Sequence, residues 1–106
     1  MAPIIEGIVM DTNKFKQLLA MQARWLMAAE ERNGYPPREL ATSQEQNRSL
    51  WQRYEQARVQ SDPFLAKLEK GALPDSELDA AHAAFREAAE ATEAIVATLA
   101  ANRRQQ

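Results

Sequence analysis

The sequence predicts an all-α fold: a small antiparallel bundle of three to four helices with a long C-terminal helix. Three observations predict it. Apolar residues recur at alternating spacings of three and four, which places them on one face of a helix. Proline and glycine fall between those stretches and punctuate them. Alanine, the strongest helix former, supplies 20 of the 106 residues, and no segment reads as a good strand.

Residues 1–11 form an N-terminal arm. Ile4, Ile5, Ile8 and Val9 follow Pro3 and suit either a helical turn or an extended arm. Four aliphatic side chains favour burial, so the arm should lie on its own bundle or on a neighbour's. Asp11 or Thr12 can cap a first helix over 12–33, whose stripe runs Phe15, Leu18, Gln22, Trp25 and Ala29, with Leu19 and Leu26 widening it. Gly34 stands where a helix-ending glycine belongs, and Tyr35-Pro36-Pro37 forbids continuation.

A second helix is expected over 43–60, because Ser43 with Gln46 three residues on matches a capping box. Its apolar face is thin: Leu50, Trp51, Tyr54 and Ala57. Ser61-Asp62-Pro63 reads as a stop and a new start, opening a short third helix over 63–70 that offers Phe64, Leu65 and Leu68 and closes at Gly71. The last helix is expected over 75–102, with Ser76 and Asp79 as a weaker capping box. Its seam alternates large and small residues: Leu78, Ala81, Phe85, Ala88, Thr92, Ile95 and Leu99. At 1.5 Å per residue it is about 40 Å long, well beyond the reach of a short third helix. Part of its edge is therefore expected to meet a second chain.

Composition bounds the function. A chain of 106 residues is read as one domain, and its 45% apolar content is diluted by alanine, so the core is thin. Thin helical cores are often completed by oligomerisation, which makes a homodimer, through the last helix or the 1–11 arm, the expected state. The absence of cysteine excludes disulfides and thiolate metal sites. The N-terminal stretch lacks a basic region, and Glu6 and Gly7 interrupt its apolar run, so it is not read as a signal peptide. No stretch is apolar enough to span a membrane, and a cytoplasmic location is the expectation. Nine arginines against four lysines, with so much alanine, are associated with GC-rich coding and so with a bacterial or phage source.

The chemistry of catalysis is missing from the pattern. His82 is the sole histidine, with Asp75 and Asp79 on its helical flank, a set that would hold a divalent ion weakly. The acids sit on expected solvent faces, the three glycines punctuate helices, and no serine or threonine has a basic partner that would activate it. No catalytic, cofactor-binding or metal-binding residue is assigned, and no enzyme is expected.

Nucleic-acid binding is the alternative class. Arg48, Arg53 and Arg58 are spaced by five, so they rotate about 140° from one to the next and form no stripe. The last helix opens Asp75-Ser76-Glu77-Leu78-Asp79, which repels phosphate. With a net charge of −2 the chain lacks a basic footprint.

The reading that remains is a non-catalytic protein–protein interaction module acting stoichiometrically, as an adaptor, a small chaperone or an inhibitor. The partner-facing candidates are Arg48, Trp51, Tyr54 and Arg58 on the second helix, because Trp, Tyr and Arg dominate interface hot spots, and Phe85, Ile95 and Leu99 on the last.

Overall fold

The structure is a computed structural model. It describes residues 12–105 throughout and the backbone of residues 4–5 and 8–9. Two short segments, β1 (Ile4–Ile5) and β2 (Ile8–Val9), pair antiparallel with Ile4 opposite Val9 and Ile5 opposite Ile8. These segments are therefore extended. Where the arm's side chains lie, and whether Asp11 caps the first helix, falls outside the described residues.

Four helices follow: α1 (Thr12–Asn33), α2 (Pro37–Gln46), α3 (Arg48–Glu69) and α4 (Leu78–Arg104), the last preceded by a 3₁₀ turn at Asp75–Glu77. The chain is all-α in class, a helical bundle organised on its long C-terminal helix. Its direction can be followed from the ion pairs that cross it. Lys14 meets Asp79 at 3.1 Å, Arg24 clamps Glu93, and the Arg103 guanidinium stacks 4.3 Å from the ring of Tyr35, just past the end of α1. These pairs advance together, so α1 runs parallel to α4. Arg53 meets Glu87 at 2.6 Å while Lys67 meets Glu77 at 2.8 Å, so α3 runs the other way. The three long helices are thus up, down, up, with α2 turning the corner between the first two.

α4 is the hub. All seven residues of its seam, Leu78, Ala81, Phe85, Ala88, Thr92, Ile95 and Leu99, are buried, and Ala89 and Ala91 extend burial to both flanks. Small side chains on those flanks let α1 and α3 settle close to the backbone. α1 contributes Leu18, Trp25 and Ala28, with Trp25 tilted at 5.8 Å from Phe85, and α3 contributes Tyr54, Ala57 and Ser61. The buried Thr92 satisfies its hydroxyl by donating to the Ala88 carbonyl at 2.7 Å. Leu73, fully buried, pins the loop between α3 and α4.

The region expected to hold helices over 43–60 and 63–70 is organised differently. Pro37 opens α2 from the first helical position, where its fixed φ is an asset and its missing N–H costs nothing. Ser43 is no cap: it is buried inside α2, where its Oγ accepts a hydrogen bond from the indole of Trp51 at 3.1 Å. The break comes instead at Asn47 (φ −128°, ψ 50°), whose amide donates back to the Ser43 carbonyl at 2.8 Å. Its own carbonyl receives the first amides of α3, from Leu50 and Trp51, both at 3.1 Å.

Pro63 neither stops nor starts a helix; α3 continues through it to Glu69. The reason lies in the packing. Tyr54, Ala57, Ser61, Phe64 and Leu68 recur at spacings of three and four on either side of Pro63, and the core holds that face as one unit. The true end of α3 is a Schellman turn, with Gly71 at φ 67°, its amide on the Leu68 carbonyl at 3.1 Å and the Ala72 amide on the Lys67 carbonyl at 2.9 Å. The Ser76–Asp79 capping box does not form either. Glu77 occupies the position before α4 with its carboxylate turned to Lys67, and no side chain caps the helix.

Candidate interaction surface

The apolar residues expected to face a partner lie inside the chain. Phe85, Ile95 and Leu99 are buried against α4's own neighbours, and Tyr54 is buried as well. They are withdrawn as partner residues, together with the expectation that α4 keeps an uncovered apolar edge. That expectation rested on a helix ended at Pro63. A continuous α3 of 22 residues, with α2 beyond it, covers what a short third helix would have left open.

The other candidates do not converge. Trp51 is half-buried, edge-on to Tyr54 at 6.1 Å and tied by its N–H to Ser43, so it serves the corner between α2 and α3. Arg58 is exposed and pairs with Glu55 one turn back at 2.7 Å, and Arg48 is exposed at the start of α3. The ring of Tyr54 carries the guanidinium of Arg32 at 4.5 Å, an intrachain use of the pairing that interfaces favour.

The surface that does stand out is the outer side of α1. Leu19 is 41% exposed, Leu26 51% and Met27 71%. Ala20 and Ala23 are exposed between them, and Lys16 and Glu30 close the row at either end. At 100° per residue Ala23 lies about 140° from Leu18 and about 160° from Trp25 in one direction and about 140° from Ala28 in the other, so the row is diametrically opposite the core. A newcomer could lie along it without touching α3 or α4. Phe15, only half-buried, borders it. By contrast the solvent side of α3 is Gln52, Glu55, Gln56 and Gln60, with Val59 alone as a large apolar residue.

The sequence carries a signal for this surface, but a weak one. Leu19 and Leu26 sit one heptad apart, beside the buried stripe on the wheel. Their membership of a separate row shows only when Lys16, Ala20, Ala23, Met27 and Glu30 are placed on the same wheel.

Charge usage separates α1's two sides. Lys14 and Arg24 are spent on α4. Arg24 donates to Glu93 Oε2 at 2.9 Å, and that hydrogen bond, which outweighs the desolvation of the guanidinium and is backed by the charges of Glu93 and Glu90, holds it above the usual arginine pKa. Lys16, Glu30 and Glu31 make no ion pair among the described residues.

An open cleft of about 540 Å³ lies at the far end, between α2 and α4, lined by Arg38, Thr42, Gln46, Asn102 and Arg103. Arg103 is already held by Glu39 at 2.9 Å and by Tyr35, and the cleft brings together no acid–base pair or activated nucleophile. Among the described residues there is no group of three or more histidine or carboxylate side chains placed to share a metal ion, and no helix is long and apolar enough to cross a membrane. His82 is half-buried on α4, and its neighbour Asp79 is engaged by Lys14. Comparison with known protein families, with curated proteins and with solved structures finds no match to this chain.

Proposed function

We propose that the protein works by contact: a non-catalytic module that binds another polypeptide stoichiometrically in the cytoplasm, as an adaptor, a small chaperone or an inhibitor. One observation carries this reading. A helix whose inner face is already fully used presents Leu19, Leu26 and Met27 to solvent in a single row, and contiguous apolar exposure is what contact surfaces require. The apolar seam of α4 supplies stability, and the outer side of α1 supplies recognition.

The nucleic-acid alternative draws less support. Arg24, Arg53, Arg58 and Arg103 are each committed to a carboxylate of the same chain, which removes much of the free positive charge that phosphate binding needs.

A photo-crosslinking amino acid at position 26, introduced in the native host, tests the proposal. A discrete adduct is expected, lost when Ala23→Glu is added. Irradiation that yields no adduct, or an adduct indifferent to Ala23→Glu, refutes this surface as the point of contact.

A further inference from the structure

Resting on the reading of α1 as the contact surface, we infer that its occupant is a second copy of the same chain, laid antiparallel along α1 about a two-fold axis at Ala23. The row is self-complementary about that residue. An antiparallel helix pair matches positions whose numbers share a constant sum, and about Ala23 that sum sets Leu19 against Met27, Ala20 against Leu26, and Ala23 against itself. Large side chains meet smaller or flexible ones, and the alanine at the axis lets the backbones approach. The same operation sets Lys16 of each copy against Glu30 of the other, with Glu31 alongside. None of these three makes an ion pair among the described residues, whereas Lys14 and Arg24, off the row, are committed to α4 and Arg32 lies against the ring of Tyr54. An isologous interface needs one patch that complements itself under a two-fold rotation, and this row meets that requirement in both shape and sign.

The contact is short. From Lys16 to Glu30 the row spans about 21 Å, which places it below the ~1,200 Å² of a standard stable interface and makes the dimer weak and reversible. Parallel pairing would oppose Lys16 to Lys16 and Glu30 to Glu30, so the charges select the antiparallel arrangement.

Sedimentation equilibrium of the purified chain up to about 1 mM, the range in which weak interfaces are read, tests the inference. The wild type is expected to dimerise reversibly and Ala23→Glu to remain monomeric with an unchanged thermal melt. Lys16→Glu alone or Glu30→Lys alone should weaken self-association about tenfold, since each places two like-charged pairs in one dimer. An equimolar mixture of those two variants should associate at least as well as the wild type, because every pair is then of opposite sign. A wild type that is monomeric throughout, a dimer that survives Ala23→Glu, or a mixture no better than its components would overturn the inference. A monomeric wild type whose position-26 crosslink still captures a different polypeptide would end this inference alone and leave the contact-surface reading standing.

Discussion

Replacing Pro63 with alanine should stabilise the protein, and the size of the gain follows from where the proline sits. It lies well inside α3, beyond the reach of either helix end. Having no N–H, it leaves the carbonyl of Val59 without its helical donor, and its ring crowds that same carbonyl. Pro63 is exposed and Val59 is 60% exposed, so the ring gains little from packing that alanine would forfeit. Proline costs about 3 kcal/mol relative to alanine in a helix interior. Hydration of the orphaned carbonyl and slight bending of the helix offset part of this, which leaves an expected gain of about 2 kcal/mol. For a chain of this length that corresponds to a rise in Tm of about 8 °C or more. Urea and thermal unfolding followed by far-UV circular dichroism would read it, with an unchanged dependence on denaturant. A variant equal to or less stable than the wild type would refute the reasoning, because proline at the first position of a separate helix is favourable and its removal gains nothing.

Gly71→Ala should destabilise by about 1 kcal/mol, measured in the same unfolding experiments, because φ of 67° is costly for any residue with a Cβ. No atom lies within 4 Å of where that Cβ would stand, so the cost is conformational and Gly71→Asn should recover part of it. Trp51→Phe keeps most of the apolar area but leaves the buried Ser43 hydroxyl without its indole donor; a loss of about 1 kcal/mol is expected, and the double variant with Ser43→Ala should be less than additive.

How far the fold was legible depends on how many signals agreed at each place. α1 occupies the span its periodicity marks, because its stripe, its glycine and its two prolines all end at the same point. The seam of α4 was legible residue by residue, from Leu78 to Leu99, because no glycine or proline interrupts it and its alanines favour helix regardless of context. α3 was not legible, because local and tertiary signals conflicted. Asp62-Pro63 is a good helix start taken alone, while the row from Tyr54 to Leu68 that overrides it includes Ser61, a polar residue that gives no apolar signal. In place, Ser61 is buried and its hydroxyl donates to the Arg58 carbonyl at 3.0 Å, so it fits the core at little cost. The same conflict hid α2: Pro36-Pro37 marks a loop when read as a stop, and marks a helix start once the second proline is placed at the first helical position. For the candidate surface, composition does not separate an interface from a core. Tyr54, Phe85, Ile95 and Leu99 have the composition of an interface, but a helix partner within the chain already covers them.

The same enclosure of the apolar seam places the proposed contact surface on α1. A three-rod bundle must bury one arc of each outer helix and a wider arc of the helix between them, and alanine on both flanks of the α4 seam gives this chain its widest buried arc there. The buried arc of α4 cannot also serve as a docking surface without dismantling the core, and its exposed stripe, at Asp79, Ala83, Arg86, Glu90 and Ala97, offers only alanine and charge. The outer helices each retain a solvent side, and the two sides differ in kind. On α3 that side is amides and charges, which water satisfies. On α1 it is Leu19, Ala20, Ala23, Leu26 and Met27 between Lys16 and Glu30, which make no ion pair among the described residues. Leaving such a row in water stabilises nothing in the monomer, since the inner face of α1 already makes its contacts through Leu18, Trp25 and Ala28. An association that covers the row is what the proposed contact supplies, and on that reading substitution by polar helix formers along it should leave folding intact while abolishing the contact.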